Sequence, residues 1–191
     1  MNSTVLAVLC SALVGYLLGS LSFAIIVSRI YAHDDVRNYG SHNAGMTNVL
    51  RVYGLGPAAA TLLGDFGKGI LAVFLGRLIF ETLGVSGMDA GYIAGLAALL
   101  GHLFPLWFGF RGGKGVLTSI GIMMAVNPLV MGMILLFFRE SYALANNISV
   151  NAVFGFVLTI IGMNGVPEAI VAAVLVALIG KILISGRFLK S

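Results

Sequence analysis

Long apolar runs separated by short polar loops dominate the chain. Each run is close to the ~20 residues that a helix needs to cross the hydrocarbon core of a bilayer. The alternating ten-residue pattern of membrane β-strands is absent, so each run must satisfy its backbone hydrogen bonds as a helix. The pattern predicts an all-α, polytopic membrane helical bundle with apolar runs at residues 4–27, 54–80, 90–108, 117–138, 144–163 and 169–186.

The fourth run contains a break. Proline lacks a backbone N–H and disfavours helix at the preceding residue, so Asn127 and Pro128 divide the run into short helices over 117–126 and 128–138. These two helices either cross the membrane separately or form a re-entrant hairpin packed in protein. The prediction becomes about seven membrane segments, including short or broken helices, in a single integral membrane domain over 1–191.

The charged residues of the loops orient the segments. Loops 28–53 and 109–116 and the C-terminal tail carry arginines and lysines, whereas loop 81–89 carries only Glu81 and Asp89. Basic residues are enriched in cytoplasmic loops. We therefore expect a multi-pass protein of the inner (cytoplasmic) membrane, with the N-terminus outside and the C-terminus and active site on the cytoplasmic side. The first run lacks the preceding basic residues of a signal peptide, which favours a retained first helix.

Composition supports an integral membrane protein and excludes a soluble domain. Of the 191 residues, 59% are hydrophobic and 9% are charged, against about 25% charged in soluble domains. The net charge of +4 is expected from basic residues retained on the cytoplasmic side and does not indicate nucleic-acid binding. Cys10 is the only cysteine, which excludes an intrachain disulfide. The three histidines and seven acidic residues show no metal-ligand spacing, so we expect no metal and no cofactor.

The segment GSHNAGMTNVLR, residues 40–51, concentrates hydrogen-bonding groups beyond the first run. Glycine permits close backbone approach, small polar side chains donate hydrogen bonds and arginine is a forked cation, so these residue types suit an anion. The alternative is a surface turn rich in turn formers. The residues expected to bind are Ser41, Asn43, Gly45, Thr47, Asn48 and Arg51.

A second polar segment, FRGGKGVLTS at 110–119, places Lys114 among three glycines just before a predicted helix. Free N–H groups at a helix N-terminus attract phosphate. The spacing is not that of a Walker A loop, and the alternative is a flexible basic turn. His102, in the apolar stretch before this segment, is either a structural hydrogen-bonder or a substrate contact. The glycines are Gly112, Gly113 and Gly115.

A third polar segment, GDFGKG at 64–69, lies inside an apolar run. Asp65 and Lys68 are three residues apart and share one helix face. Ionisable groups inside a bilayer usually face a cavity or one another, so Lys68 either contributes to substrate binding or forms an ion pair that only orients helices. The three segments together predict a binding site for a small phosphorylated molecule at the cytoplasmic interface, beside membrane lipids.

Four stretches carry a family resemblance over about residues 16–120: YLLGSLSFAIIVSR, GSHNAGMTNVLR, GDFGKG and GHLFPLWFGFRGGKGV. In this order and spacing, the chain resembles the bacterial membrane acyltransferases that transfer an acyl chain from acyl-phosphate to glycerol 3-phosphate. The resemblance implies a seven-helix membrane fold. It also implies formation of lysophosphatidic acid, the first acylation step of phospholipid synthesis.

The resemblance also implies residue roles. It places Ser41 and Asn43 in the active-site loop and assigns phosphate binding to Arg51 and Lys114. It also implies that the three glycines of 112–115 allow the backbone to approach the substrate. Acyl-phosphate has a good leaving group, so the two cations can supply orientation and charge neutralisation while a substrate phosphate oxygen takes the proton. We expect Ser41 to position substrate by hydrogen bonding. The predicted catalytic set is Ser41, Arg51 and Lys114.

The chain departs from the family pattern in three places. His42 replaces the third residue of the family loop G-S-G-N-x-G-x-T-N. The family's C-terminal Arg-His-x-x-Asn is missing, since His102 is the last histidine, and the segment SYALANNISV differs from the usual Ser-Leu-x-Ser. We therefore expect low but real acyl transfer. The alternatives are a non-catalytic or transport-type protein that binds a small phosphorylated anion, and a structural subunit that recruits other lipid enzymes.

Overall fold

The computed structural model describes residues 2–129 and 131–132, which fall within one compact unit, Met1–Met133. This part is helical and contains no strand, which confirms the all-α class. The predicted segments 144–163 and 169–186 lie outside the described residues, and the prediction of a single domain over 1–191 also extends beyond them. The helices are α1 (Ser3–Gly19), α2 (Phe23–Ala32), α3 (Met46–Tyr53), α4 (Leu55–Thr82), α5 (Ala90–Leu103) and α6 (Val116–Val126).

Three stretches are long and apolar enough to cross a membrane: Ser3–Ala32, Leu55–Thr82 and Ala90–Phe108. They correspond to the first three predicted runs. The first stretch is interrupted between α1 and α2, at residues 20–22, which its hydropathy does not reveal. Two short 3₁₀ turns, Val36–Asn38 and Leu106–Phe108, lie in the loops that follow α2 and α5.

The break predicted at the Asn-Pro pair is present. Helix α6 ends at Val126, and Asn127 has φ −148° and ψ 88°, outside the helical region. Backbone geometry of this kind is what proline imposes on its predecessor. Most of the second short helix, 128–138, lies outside the described residues, so the choice between two crossings and a re-entrant hairpin stays a prediction.

Small residues line the contact between α1 and α5. A Cβ on Gly15 or Gly19 would collide with the backbone carbonyl of Ala94 or Ala98, respectively. Small side chains allow helix backbones to approach closely in a membrane, where van der Waals packing supplies much of the association energy. The buried stripe of α1 recurs every four residues and consists of Ala7, Ser11, Gly15 and Gly19.

Large apolar side chains face outward instead. Leu9 on α1 is 56% exposed, and Leu63 and Phe74 on α4 are 67% and 68% exposed. This arrangement places bulky side chains where lipid tails surround the bundle and small ones between helices.

An ion pair joins three helices at the end of the bundle far from the polar loops. Asp89 caps α5 by accepting a hydrogen bond from the backbone N–H of Gly91 at 2.8 Å. Arg77 of α4 pairs with Asp89 at 2.6 Å and donates to the Ala125 carbonyl of α6 at 3.0 Å. The hydrogen bond from Arg77 outweighs burial and holds the pKa of Asp89 below its ordinary value.

Candidate functional site

The loop between α2 and α3 and the loop between α5 and α6 meet at a glycine. A Cβ on Gly113 would collide with the Ala44 carbonyl, and one on Gly112 would collide with the His102 carbonyl. Gly115, with φ +80°, occupies the left-handed region just before α6. These glycines therefore permit two loops to pack against each other, which brings the two predicted anion-binding segments into contact.

Arg37 ties the same two loops together. Its Nη1 donates to the carbonyls of Phe108 and Arg111, both at 2.8 Å, and its Nη2 pairs with Asp35 at 2.8 Å. Sequence reasoning used Arg37 only as a basic loop residue and missed this contact. Its proximity to Asp35 in the sequence indicates a local ion pair but gives no information about the two distant carbonyls.

The Asp35 carboxylate is stabilised by this contact. Partial burial raises its pKa, but the hydrogen bonds and charge of Arg37 outweigh burial, so the pKa of Asp35 lies below its ordinary value. A lowered folded-state pKa means that the ion pair contributes stability above the ordinary aspartate pKa. That contribution is lost as the pH falls through the lowered value.

Asn48 organises the loop that contains Ser41. It is 1% exposed, and its Nδ2 donates to the carbonyls of Val36, Tyr39 and Asn43 at 3.0–3.1 Å. Its Oδ1 accepts from the Ser41 backbone N–H at 2.9 Å. These bonds show Asn48 holding the loop in shape, while its predicted contact with substrate stays a prediction.

His42 occupies a backbone conformation that favours glycine. Its φ is 58°, in the left-handed region that costs an ordinary L-residue roughly 1–2 kcal/mol. Its Nδ1 lies 3.0 Å from the Arg37 carbonyl, a local contact that helps to hold the conformation. The glycine usual at this position of the family loop is therefore explained by backbone geometry.

The other predicted loop residues lie around the N-terminus of α3. Ser41 is exposed, Asn43 and Thr47 are half-buried, and Gly45 is the extended residue that precedes α3. A Cβ on Gly45 would lie 3.1 Å from the Asn43 amide nitrogen, so the Asn43 side chain lies against the start of α3.

The two predicted phosphate-binding cations are both exposed. Arg51 lies in the last turn of α3 and has no ion pair with any residue that the structure describes. Lys114 lies in the loop between the packed glycines Gly113 and Gly115. An exposed cation within a glycine-rich loop, as at Lys114, suits binding of a phosphate group.

The predicted pair Asp65 and Lys68 is buried, and His102 joins it to form a cluster of three side chains. Lys68 Nζ lies 2.7 Å from Asp65 Oδ1 and 2.9 Å from His102 Nδ1, and the side chains of the pair are each 1% exposed. The sequence indicated the i, i+3 pair but could not indicate His102, because that contact depends on how α4 packs against α5.

The same pair forms hydrogen bonds with backbone groups at the break between α1 and α2. Lys68 Nζ donates to the Leu21 carbonyl at 2.6 Å, and Asp65 Oδ1 accepts from the backbone N–H of Phe23 at 3.4 Å. The cation thus meets a freed carbonyl, and the carboxylate meets the N-terminal end of α2, where negative charge is favourable. The ion pair therefore connects α4 to the break between α1 and α2, while substrate binding by Lys68 stays a prediction.

The fold and the site define an integral membrane protein in which glycine-rich and basic loops meet at one end of a helical bundle. The chain belongs to the glycerol-3-phosphate acyltransferase family, whose model matches residues 9–187. The glycerol-3-phosphate acyltransferase of Clostridioides difficile (strain 630) is 44% identical over 144 residues, which cover 75% of this chain and 71% of that relative.

Other relatives align over a shorter region. The glycerol-3-phosphate acyltransferase of Neisseria meningitidis serogroup C (strain 053442) is 55% identical over 115 residues, or 60% of this chain. The alignment spans 57% of that relative's length, less than two thirds.

A solved structure has a similar fold. The crystal structure of PlsY (YgiH), an integral membrane glycerol 3-phosphate acyltransferase, in its glycerol 3-phosphate form, has a TM-score of 0.61 and is 28% identical to this chain. The match covers 93% of this chain and 92% of that one. The lysophosphatidic acid form of the same protein has a TM-score of 0.59 and is 25% identical.

Proposed function

We propose that the protein is an acyltransferase that uses acyl-phosphate to acylate glycerol 3-phosphate, forming lysophosphatidic acid and phosphate. The observation that carries the proposal is the contact between Gly113 and Ala44, which joins the two anion-binding loops of a chain from this family. The relatives' names support the acceptor, and the donor rests on the family resemblance. Family membership favours this reaction over the transport-type alternative.

The reaction needs positioning and charge neutralisation rather than a strong protein base. The acceptor's hydroxyl oxygen attacks the acyl carbonyl carbon, the bond from that carbon to the phosphate oxygen breaks, and the hydroxyl proton passes to a phosphate oxygen. Arg51 and Lys114 stabilise the negative charge on the phosphate groups. Ser41 orients the acceptor by a hydrogen bond, and Asn43, Gly45, Thr47 and the glycines of 112–115 shape the loop junction around it.

The site lies on the cytoplasmic side of the inner membrane in this proposal. Arg29, Arg37 and Arg111 are at the same end of the bundle as the loop junction, whereas Asp89 is at the other end. Basic residues are enriched on the cytoplasmic side, so this distribution supports the proposed orientation. A site at the interface admits a soluble acceptor from water and an acyl chain from lipid.

The test is an acyl-transfer assay with the purified full chain, acyl-phosphate and labelled glycerol 3-phosphate. Labelled lysophosphatidic acid should form with acyl-phosphate, and parallel reactions with acyl-CoA or acyl-carrier protein should give none. The sequence has no match to the family's C-terminal Arg-His-x-x-Asn motif, so we expect slow turnover and the assay must be sensitive enough to detect it. Binding of glycerol 3-phosphate without any product would refute the acyltransferase proposal.

A further inference from the structure

The ammonium group of Lys68 uses all of its hydrogen-bond donors inside the protein. A protonated lysine has three N–H donors and no acceptor. Its Nζ lies 2.6 Å from the Leu21 carbonyl, 2.7 Å from Asp65 Oδ1 and 2.9 Å from His102 Nδ1. Each donor therefore has one acceptor, and these acceptors come from three different segments.

This arrangement fixes the direction of the bond between Lys68 and His102. The Asp65 carboxylate 2.7 Å from Nζ favours the charged form of Lys68. An ammonium cannot accept a hydrogen bond, so we assign His102 Nδ1 as the acceptor, without a proton. The competing arrangement, a proton on Nδ1 donated to Asp65, is disfavoured because those atoms are 3.6 Å apart. A neutral imidazole with no proton on Nδ1 carries its proton on Nε2.

The Nε2 atom lies at the junction of the two loops. A Cβ on Gly113 would lie 2.5 Å from Nε2 and would also collide with the Ala44 carbonyl. The His102 side chain is 4% exposed, and no hydrogen bond joins Nε2 to another residue of the described ranges 2–129 and 131–132. A buried donor thus lies next to Gly113, where the two loops meet.

We propose that Lys68 is a positioning residue that holds His102 in the Nε2–H tautomer, and that this N–H donates a hydrogen bond to a phosphate oxygen at the loop junction. The inference rests on the proposed function for the identity of the ligand. The opposite tautomer would present a lone pair to the phosphate oxygen and repel it. Asp65 contributes by pairing with Lys68 and keeping the charge of the buried cluster balanced.

The tautomer can be measured directly in the wild-type chain. In ¹⁵N-histidine-labelled protein in micelles, the ¹H–¹⁵N correlation pattern of the ring distinguishes Nδ1–H from Nε2–H. The signals of His33 and His42 are assigned by their loss in His33→Gln and His42→Gly. We expect the Nε2–H pattern for His102 and a shift of its Nε2 signal when glycerol 3-phosphate is added. An Nδ1–H pattern, or an unshifted signal at saturating glycerol 3-phosphate, would overturn the inference.

A variant separates positioning from folding. Lys68→Met alone leaves Asp65 buried and unpaired, so Asp65→Asn/Lys68→Met is made as well. In a folded variant, His102 should populate both tautomers, and the KM for glycerol 3-phosphate should rise about tenfold, with a smaller change in kcat, as expected for a lost hydrogen bond to a charged group. An unchanged tautomer in a folded variant would contradict the role of Lys68.

The acyl-transfer assay on the same preparation distinguishes the two proposals. A wild-type chain with the Nε2–H tautomer and a shift with glycerol 3-phosphate, but without product, would refute the acyltransferase reaction and support the phosphate contact.

Discussion

At the scale of single residues, a side chain's partners separate binding groups from organising ones. Arg51 is exposed and has no ion pair among the residues that the structure describes, whereas Arg37 is committed to Asp35 and to two carbonyls. Both are arginines close to the same loop. These surroundings show that Arg37 binds to the protein itself, and they support the proposed role of Arg51 in binding a ligand.

Removal of the Arg51 charge should affect activity and leave stability unchanged. A hydrogen bond to a charged group contributes roughly 1.5–3 kcal/mol, so Arg51→Ala should lower kcat/KM about tenfold to a hundredfold. Its thermal unfolding should match wild type, because a surface substitution of this kind changes stability by about 0.5 kcal/mol or less. Arg51→Lys should restore little activity if the contact is bidentate. Full activity of the alanine variant would remove Arg51 from the site.

Sequence reasoning found the residue types of the site but not how they are connected. The glycines of 112–115, the loop 40–51 and the pair Asp65 and Lys68 were all found from composition and spacing. The contact of Lys68 with His102 was missed because it joins two helices 34 residues apart in the chain. The hydrogen bonds by which Asn48 shapes its own loop were also missed, because a small polar residue gives the same sequence signal whether it binds substrate or folds a loop.

At the scale of elements, the site depends on loops being held against each other. Arg29 and Arg37 both contact Asp35, at 3.4 Å and 2.8 Å, but only Arg37 also reaches the carbonyls of the α5–α6 loop. Arg29 is 55% exposed, and exposed pairs contribute little. In the part of the chain that the structure describes, Arg29 contacts this loop only through the Phe108 ring, whose centroid lies 5.4 Å from its Cζ. The two residues therefore form a matched pair for testing the two hydrogen bonds to the carbonyls.

Arg37→Ala should separate the two loops and raise the KM for glycerol 3-phosphate, while Arg29→Ala should leave it within about twofold. The physical reason is the loss of two charged hydrogen bonds that cross from one loop to the other, each contributing roughly 1.5–3 kcal/mol. Steady-state kinetics of both variants at pH 7 would check this expectation. Equal effects of the two substitutions would show that the two hydrogen bonds from Arg37 to the carbonyls have no special role.

Two glycines of α4 differ in what surrounds them. A Cβ on Gly69 would collide with the Thr118 carbonyl of α6, whereas a Cβ on Gly67 would meet no atom within 4 Å. Gly67→Ala should stabilise the protein by about 0.5–1 kcal/mol, since alanine is the better helix former. Gly69→Ala should destabilise it by about 1–3 kcal/mol through overpacking.

Thermal unfolding of the two variants in the same detergent would compare them with wild type. Opposite signs are expected although the substitution and the helix are the same. A loss of stability in both would mean that helix propensity and close packing do not account for the glycines of α4.

At the scale of the whole molecule, hydropathy predicted the first three membrane-spanning stretches but did not predict that the first of them is divided into two helices. The runs at 54–80 and 90–108 correspond to α4 and α5, and the Asn-Pro pair marked the end of α6. The first run is broken even though residues 20–22 contain no proline or glycine. The break lies between Gly19, the last residue of α1, and Ser22, the N-cap of α2, and the charged pair of α4 binds the backbone groups there.

The proposed orientation can be checked with two cysteines at opposite ends of the bundle. In a Cys10→Ala background, Met88→Cys should react with an impermeant thiol reagent on intact cells, and Asn38→Cys should react only after permeabilisation. Both positions are exposed in the structure, and the expectation follows from the basic residues near Asn38. Labelling of Asn38→Cys alone on intact cells would show that the topology is the opposite of the one proposed.

The break between α1 and α2 also has a consequence for the order in which the protein assembles during synthesis. The freed Leu21 carbonyl is satisfied by Lys68, 47 residues later in the chain, so it has no partner when the first segment enters the bilayer. An unsatisfied group in hydrocarbon costs several kcal/mol, so the nascent segment should insert as one helix of about 45 Å, tilted to fit, and unwind only when α4 arrives. In a 2–40 fragment in micelles, the amides of residues 20–23 should be protected from hydrogen exchange as in a continuous helix. Rapid exchange there would show that the break forms without α4.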